Sequence, residues 1–237
     1  MIDRKLNFGR HIVKAFCEES QPYASVLDIG AGKGDDLRIA RSVCNAARCL
    51  ALECYAPRIQ MLREQGLEVY PVDVEKDLFP FQDGSIDLII ANQILEHTKE
   101  LFWIFHEISR TLKPGGRLII GVPNLASLHN RILLLIGRQP SPIKSNSSHV
   151  RGFTKGDIEQ FLECWPKGYR LVDYQGSNFY PFPPAIARPL ARAFPSLAWG
   201  MFLLFEKAGP YRGEFLDYPV VNKLKTNFYM GNKAETP

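Results

Sequence analysis

Three groups of residues carry the side chains that do chemistry. In "IIANQILEHTKE", residues 89–100, an apolar run ends in Asn92 and Gln93 and is followed by Glu96 and His97. A carboxylate beside an imidazole suits a divalent cation or proton transfer near neutral pH. Polar residues after an apolar run can equally floor a ligand pocket or cap the next helix. Upstream, "VLDIGAGKG" sets Gly30, Gly32 and Gly34 behind a short apolar stretch, with Asp28 two residues before the first glycine. Glycines there let the backbone approach a ligand. A dinucleotide fingerprint, G-x-G-x-x-G, would need glycine at position 35, where this chain has Asp35. An acid at Asp28 favours a cationic ligand group and repels a pyrophosphate. Glu53 follows Gly34 by nineteen positions and can accept from both hydroxyls of a ribose. Asp73 closes a third apolar stretch, where a carboxylate can accept from an exocyclic amine such as that of adenine.

These residues need strands to hold them at one edge. Helical spacing of Phe8, Ile12, Val13 and Phe16 predicts a helix over 8–19. Strands are expected at "ASVLDI", "RCLALE", "LEVYPVDV", "SIDLIIAN" and "RLIIGVPN", with helices at "DDLRIARSVCNAA", "APRIQMLREQG" and over Leu101–Leu112. The last of these helices is closed by Lys113-Pro114-Gly115-Gly116. Strands alternating with helices on short links indicate a doubly wound parallel sheet. After Asn124 the rhythm changes. "ASLHNRILLLIGR" reads as a helix and "QPSPIKSNSSHVRGFT" as a loop. A further helix is N-capped by Thr154, and two late strands flank the proline-rich "FYPFPPAIARPLARAFPSLA". From Gly209 onward a polar, aromatic tail shows weak periodicity.

Composition narrows the function classes. Of the 237 residues 46% are apolar and 23% charged, with a net charge of +4 and no Lys/Arg block, so charge argues little for nucleic acid. Five cysteines without metal-type spacing suggest reduced thiols, and no secretory signal is expected in "MIDRKLNFGR". The chain is expected to be cytoplasmic.

"VLDIGAGKG", "LALE", "YPVDVEKDLFPFQDGSIDLIIANQILEH" and "LKPGGRLIIGVPN" together resemble the class I S-adenosylmethionine-dependent methyltransferases, in particular their small-molecule (type 11-like) branch. The resemblance is continuous over residues 24–124 and implies a Rossmann-like, seven-stranded, mostly parallel sheet. Helices would cover both faces and the last strand would run antiparallel. It also implies S-adenosyl-L-methionine as cofactor. Asp28 would then face the methionine amino group, and Gly30, Gly32 and Gly34 would line the cofactor. Glu53 would take the ribose hydroxyls and Asp73 the adenine amine, with the Val74 backbone beside it. Asn92 and Gln93 would lie under the methionine portion.

The resemblance also frames Glu96 and His97. The ubiquinone-biosynthesis O-methyltransferases carry E-x-x-E-H here, which would imply a divalent metal, but this chain has Gln93 at the first acid, so no metal is expected. His97 remains a candidate general base. The remaining reading has Glu96 and His97 capping and positioning the following helix. In such a fold, variable segments cover the transferred methyl. Here these are the N-terminal helix and residues 125–153 and 177–197, leaving 209–237 as a tail on a single domain. His149 is the most attractive proton acceptor among the loop residues, with Arg151 a possible anion contact. The expected acceptor is a small molecule, with the hydroxyl of a sugar, glycolipid or natural-product intermediate favoured. "NRILLLIGR" could also rest on a membrane surface. RNA and protein acceptors, or a binding protein on the same fold, are the alternatives. Nucleic acid is disfavoured by "ANQI" where an Asn-Pro-Pro-aromatic turn would serve base amines.

Overall fold

The computed structural model describes residues 9–45, 47–225 and 228–231. Phe8 lies outside them, as do residues 226–227 and 232–237 of the expected tail. Seven strands form one sheet: β1 (Ser25–Ile29), β2 (Arg48–Glu53), β3 (Glu68–Pro71), β4 (Ile86–Asn92), β5 (Leu112–Pro123), β6 (Tyr169–Ser177) and β7 (Gly200–Lys207). Their order is β3-β2-β1-β4-β5-β7-β6. β1 to β5 pair in parallel, and β7 runs antiparallel to both of its neighbours, as expected from the sequence. The order reverses between β1 and β4, and ligands of such sheets bind outside the carboxyl ends of the strands at that switch point.

Alternation along the strands builds two cores. Leu27, Ile29, Ile89, Ala91, Leu118 and Ile120 bury one face of the sheet under α4 (Leu101–Thr111) and α6 (Lys155–Leu162). Val26, Leu88, Ile90 and Ile119 bury the other under α1 (Arg10–Glu19) and α2 (Asp35–Val43). Burying a side chain of this size contributes about 1.5–3 kcal/mol. Charged residues on the central strands therefore have a function or a partner to explain them. α3 (Ala56–Glu64) links β2 to β3, and α5 (Leu128–Leu135) follows β5.

Three expectations change. α4 is not closed by the glycines: it passes directly into β5 at Leu112, and Lys113–Gly116 open that strand. The buried carbonyls at the helix end find a different donor. The buried Lys207 ammonium of β7 donates to Ser109 O and Leu112 O, both at 2.6 Å, a favourable placement for a cation at a helix C-terminus. The proline-rich segment forms α7 (Pro184–Ala193): Pro184 in the first turn surrenders only an N–H that has no helical partner, whereas Pro189 inside the helix gives up an internal one. The tail contains α8 (Glu214–Val221), which buries Phe215 against Phe105 and Phe161.

Candidate active site

Asp28 is the fourth residue of β1, level with Ile90 of β4 at the switch point, and only 2% of it is exposed. Its Oδ2 has no hydrogen-bond partner. Burial, and next the neighbouring Asp36, push its carboxyl well above the usual range, opposed by Arg10. Asp36, in the first turn of α2, pairs with Arg10 Nε at 2.9 Å and accepts from Asn92 Nδ2 at 3.0 Å. Asn92 Oδ1 is a second buried atom without a partner. Asn92 has room because a Cβ on Gly121 of β5 would collide with it. One strand on, Glu53 is 5% exposed, and backbone N–H groups surround its carboxylate. Oε2 accepts from Gly32 at 3.0 Å, and Oε1 accepts from Cys54 and Tyr55 at 3.0 Å each. Glu53 thereby ties the glycine turn to the end of β2.

The turn itself has Gly30, Gly32 and Gly34 at φ of +69°, +57° and +76°. A Cβ placed on Gly32 would meet nothing nearer than 3.8 Å, so the backbone there borders open space. Gln93, at φ +56°, turns the chain sharply off β4, and non-glycine residues in that conformation concentrate at functional sites. Asp73 departs from expectation. β3 ends at Pro71, and Asp73 sits two residues beyond, in a turn. It accepts there from the Glu75 N–H at 3.1 Å and pairs with Lys76 at 3.0 Å. Val74 beside it is buried.

The third group gathers across the chain. Leu95–His97 forms a 3₁₀ turn in which Glu96 is buried and neither carboxylate oxygen has a partner. Val150 N donates to Glu96 O at 2.9 Å, and Arg151 donates to Thr98 O and Lys99 O at 3.0 and 2.7 Å. Arg151 thus clamps the loop to the start of α4. The clamp brings His149 edge-on to His97, ring centroids 4.7 Å apart. One ligand atom from each of Glu96, His97 and His149 lies within 4.8 Å of the other two. Each imidazole presents Nδ1 to a carbonyl, His149 to Pro142 O at 2.8 Å and His97 to Ser148 O at 3.3 Å. A carbonyl can only accept, so Nδ1 carries the proton and Nε2 keeps its lone pair. Gln93 stays apart, its side-chain amide turned to Gly121 O. Glu96 and His97 do not cap α4. The first N–H groups before that helix are taken by Glu75, which accepts from Lys99 and Glu100.

Burial raises the Glu96 carboxyl to about 7, against an ordinary 4.5, and burial lowers His97. A folded-state pKa above the unfolded one makes the protein lose stability as pH climbs from about 4.5 to about 7. Glu96→Gln is therefore expected to gain on the order of 2–3 kcal/mol over the wild type above pH 7 and little at pH 4. Thermal melts at the two pH values check this, and equal losses in both proteins would refute it.

Residues 27–120 match the family model described as "Methyltransferase domain". Over that segment the chain is similar to the class I S-adenosylmethionine-dependent methyltransferases. The chain is 28% identical over 195 residues to the malonyl-[acyl-carrier protein] O-methyltransferase of Methylococcus capsulatus, covering 80% of this chain and 63% of that one. It is 32% identical over 107 residues to the ubiquinone biosynthesis O-methyltransferase of Xanthomonas oryzae, covering 43% and 44%. The chain thus spans less than two thirds of the length of these curated relatives. Among solved structures, a SAM-dependent methyltransferase from Archaeoglobus fulgidus superposes with a TM-score of 0.58 at 19% identity, covering 86% of this chain and 97% of that one. The [4+2]-cyclase SpnF superposes at 0.61 and 20% identity, covering 87% and 83%. A shared fold does not by itself fix the reaction.

The cofactor of this family carries a sulfonium and an ammonium. The residues present fit it: a buried carboxylate oxygen of Asp28 has no partner where a cation would supply one, and a Cβ on Gly32 would meet only Gly30 O, at 3.8 Å. Sequence reasoning missed Arg10 and Asp36. The Asp35-Asp36 pair in the first turn of α2 was a signal, although acids there ordinarily just complement the helix dipole. Arg10 offered none.

Proposed function

We propose that this chain transfers the methyl group of S-adenosylmethionine to a hydroxyl oxygen of a small molecule, with sugars, glycolipids and natural-product intermediates as the favoured acceptors. One observation carries the reading. Asn92, bonded to Asp36 beside Asp28, and the His97–His149 pair stand at opposite ends of the short Asn92–His97 stretch. A buried carboxylate group without a cation is thereby joined to a proton acceptor. Bound there, the cofactor supplies a methyl made electrophilic by its sulfonium. Asp28 holds the methionine ammonium, and Glu53 takes the ribose hydroxyls alongside the Gly30–Gly34 turn. Asp73 and the Val74 backbone meet the adenine, while Asn92 and Gln93 floor the methionine portion. Asp73 would have to exchange Lys76 for the adenine amine.

Displacement at a methyl carbon depends chiefly on alignment and on keeping water out. A hydroxyl must also lose its proton, and His149, with His97 against it, takes that proton on Nε2. Two of the relatives are named O-methyltransferases, which supports oxygen as the acceptor atom. No metal is required by this reading, since a neutral histidine takes the hydroxyl proton directly; Glu96, His97 and His149 nevertheless offer three ligand atoms within 4.8 Å of one another.

The test is to incubate the purified chain and a cell extract with methyl-labelled S-adenosylmethionine. Label is expected in a small molecule, on oxygen, surviving protease and nuclease digestion and undiminished by a chelator. Label confined to protein or RNA would overturn the acceptor class. Activity lost to the chelator and restored by a divalent cation would reassign Glu96, His97 and His149 to a metal.

A further inference from the structure

The two segments beside the site, residues 125–153 and 177–197, contain six cationic side chains and no Asp or Glu. The whole chain carries +4, so the remainder carries −2. Eight of the thirteen large apolar side chains exposed among the described residues also lie in these two segments. Neither property follows from covering an acceptor, which needs apolar groups turned inward rather than outward.

The segments are one unit. His129 of α5 packs edge-on to Tyr180, ring centroids 4.4 Å apart, and Asn124 donates to Ser196 O and Ala198 O at 2.9 Å each. Leu128 and Leu190 pack on a small core of Phe179, Ala187, Ala191 and Ala198. On α5, Ile132, Leu135 and Ile136 fall at i, i+3 and i+4, one helix face, and all three are exposed, Leu135 by 86%. Arg131 precedes that face and Arg138 follows it. A cavity of about 590 Å³ at the end of α5 is lined by His129, Leu133, Arg138, Lys144, Tyr180 and Trp199. Exposed Leu and Ile flanked by cations suit a medium that is hydrocarbon beneath and anionic at its surface. Nucleic acid supplies the anionic surface but no hydrocarbon for Leu135 and Ile136.

We propose that the outer face of α5, with the adjoining α7 segment, docks this protein peripherally on an anionic lipid bilayer. Ile132, Leu135 and Ile136 enter the acyl boundary, and Arg131, Arg138 and Lys144 engage the headgroups. No helix among the described residues is long and apolar enough to cross a membrane, so the contact is superficial. Docking does not depend on the methyl-transfer reading; if both hold, the acceptor site faces lipid-linked hydroxyls.

The test sediments the full chain with vesicles of phosphatidylcholine alone and of phosphatidylcholine enriched in phosphatidylglycerol, without cofactor. Binding is expected to the anionic vesicles only and to weaken as salt is raised. Arg138→Ala should weaken it about fivefold, the effect of one cation near a charged surface. Leu135→Asp should reduce it at least as much. Both exposed positions should leave thermal melting unchanged, which separates docking from folding. Equal sedimentation with the two vesicle types, or Leu135→Asp binding as the wild type does, overturns the proposal. So does a wild-type dimer in solution that Leu135→Asp dissociates, since the face would then be a contact between two copies.

Discussion

Asp28→Asn is expected to weaken S-adenosylmethionine binding by at least about 100-fold while raising the melting temperature of the cofactor-free protein. Both effects come from the same atom. Oδ2 of Asp28 is buried without a hydrogen-bond partner, and Asp36 and Glu53 add negative charge around it. Only Arg10 opposes them among the main influences on its ionisation. An uncompensated buried carboxylate is costly, and truncating one partner of a buried charge pair typically loses about 3–5 kcal/mol, equivalent to roughly 10²–10³ in affinity. In the free protein the carboxylate is a burden; once an ammonium arrives it becomes the anchor. Trading stability for binding in this way is common at functional sites. Calorimetry with the cofactor and melts without it read the two signs separately. Affinity within severalfold of wild type would remove Asp28 from the site. Glu53→Ala is expected to weaken binding too, but with a loss of stability, because Gly32, Cys54 and Tyr55 would lose their acceptor.

His149→Ala is expected to reduce turnover about 10²–10³-fold on a hydroxyl acceptor, with cofactor affinity unchanged, the usual scale for loss of a positioned general base. Pro142 O fixes the tautomer by accepting from Nδ1, which leaves Nε2 as the basic nitrogen. His97 stands against it with its own pKa lowered by burial, so it is neutral near pH 7 and adds no positive charge that would oppose protonation of His149. The acid limb of the kcat/KM profile should vanish in the variant, a change that a merely structural histidine would not cause. Turnover within severalfold of wild type would mean that the acceptor reaches the site already deprotonated, or that carbon is methylated.

How much of this was legible beforehand divides along a physical line. The β1–β5 core and the strand-end positions of Asp28 and Glu53 follow from local patterns, apolar runs broken by glycine turns and amphipathic helices between them. The α4–β5 junction was misread because Lys113-Pro114-Gly115-Gly116 has turn chemistry, whereas the donor that ends the helix, Lys207, lies far away in sequence. Glu96 and His97 were read as a possible cap because they precede α4. No side chain caps α4; Glu75, from the segment after β3, takes the Lys99 and Glu100 N–H groups just before it.

By itself, then, the sequence determined the doubly wound sheet and the acids Asp28 and Glu53 at the strand ends, since period, turn residues and motif spacing act over a few neighbouring residues. Only the tertiary structure decided that Arg151 clamps its loop to Thr98 and Lys99, that His149 thereby meets His97, and that Arg10 and Asp36 set the charge around Asp28. The Arg10–Asp36 pair joins residues 26 positions apart, and the Arg151 and His149 contacts join residues more than 50 positions apart along the chain. Such contacts form only when the closing loops bring particular atoms together, and no local pattern encodes that distance.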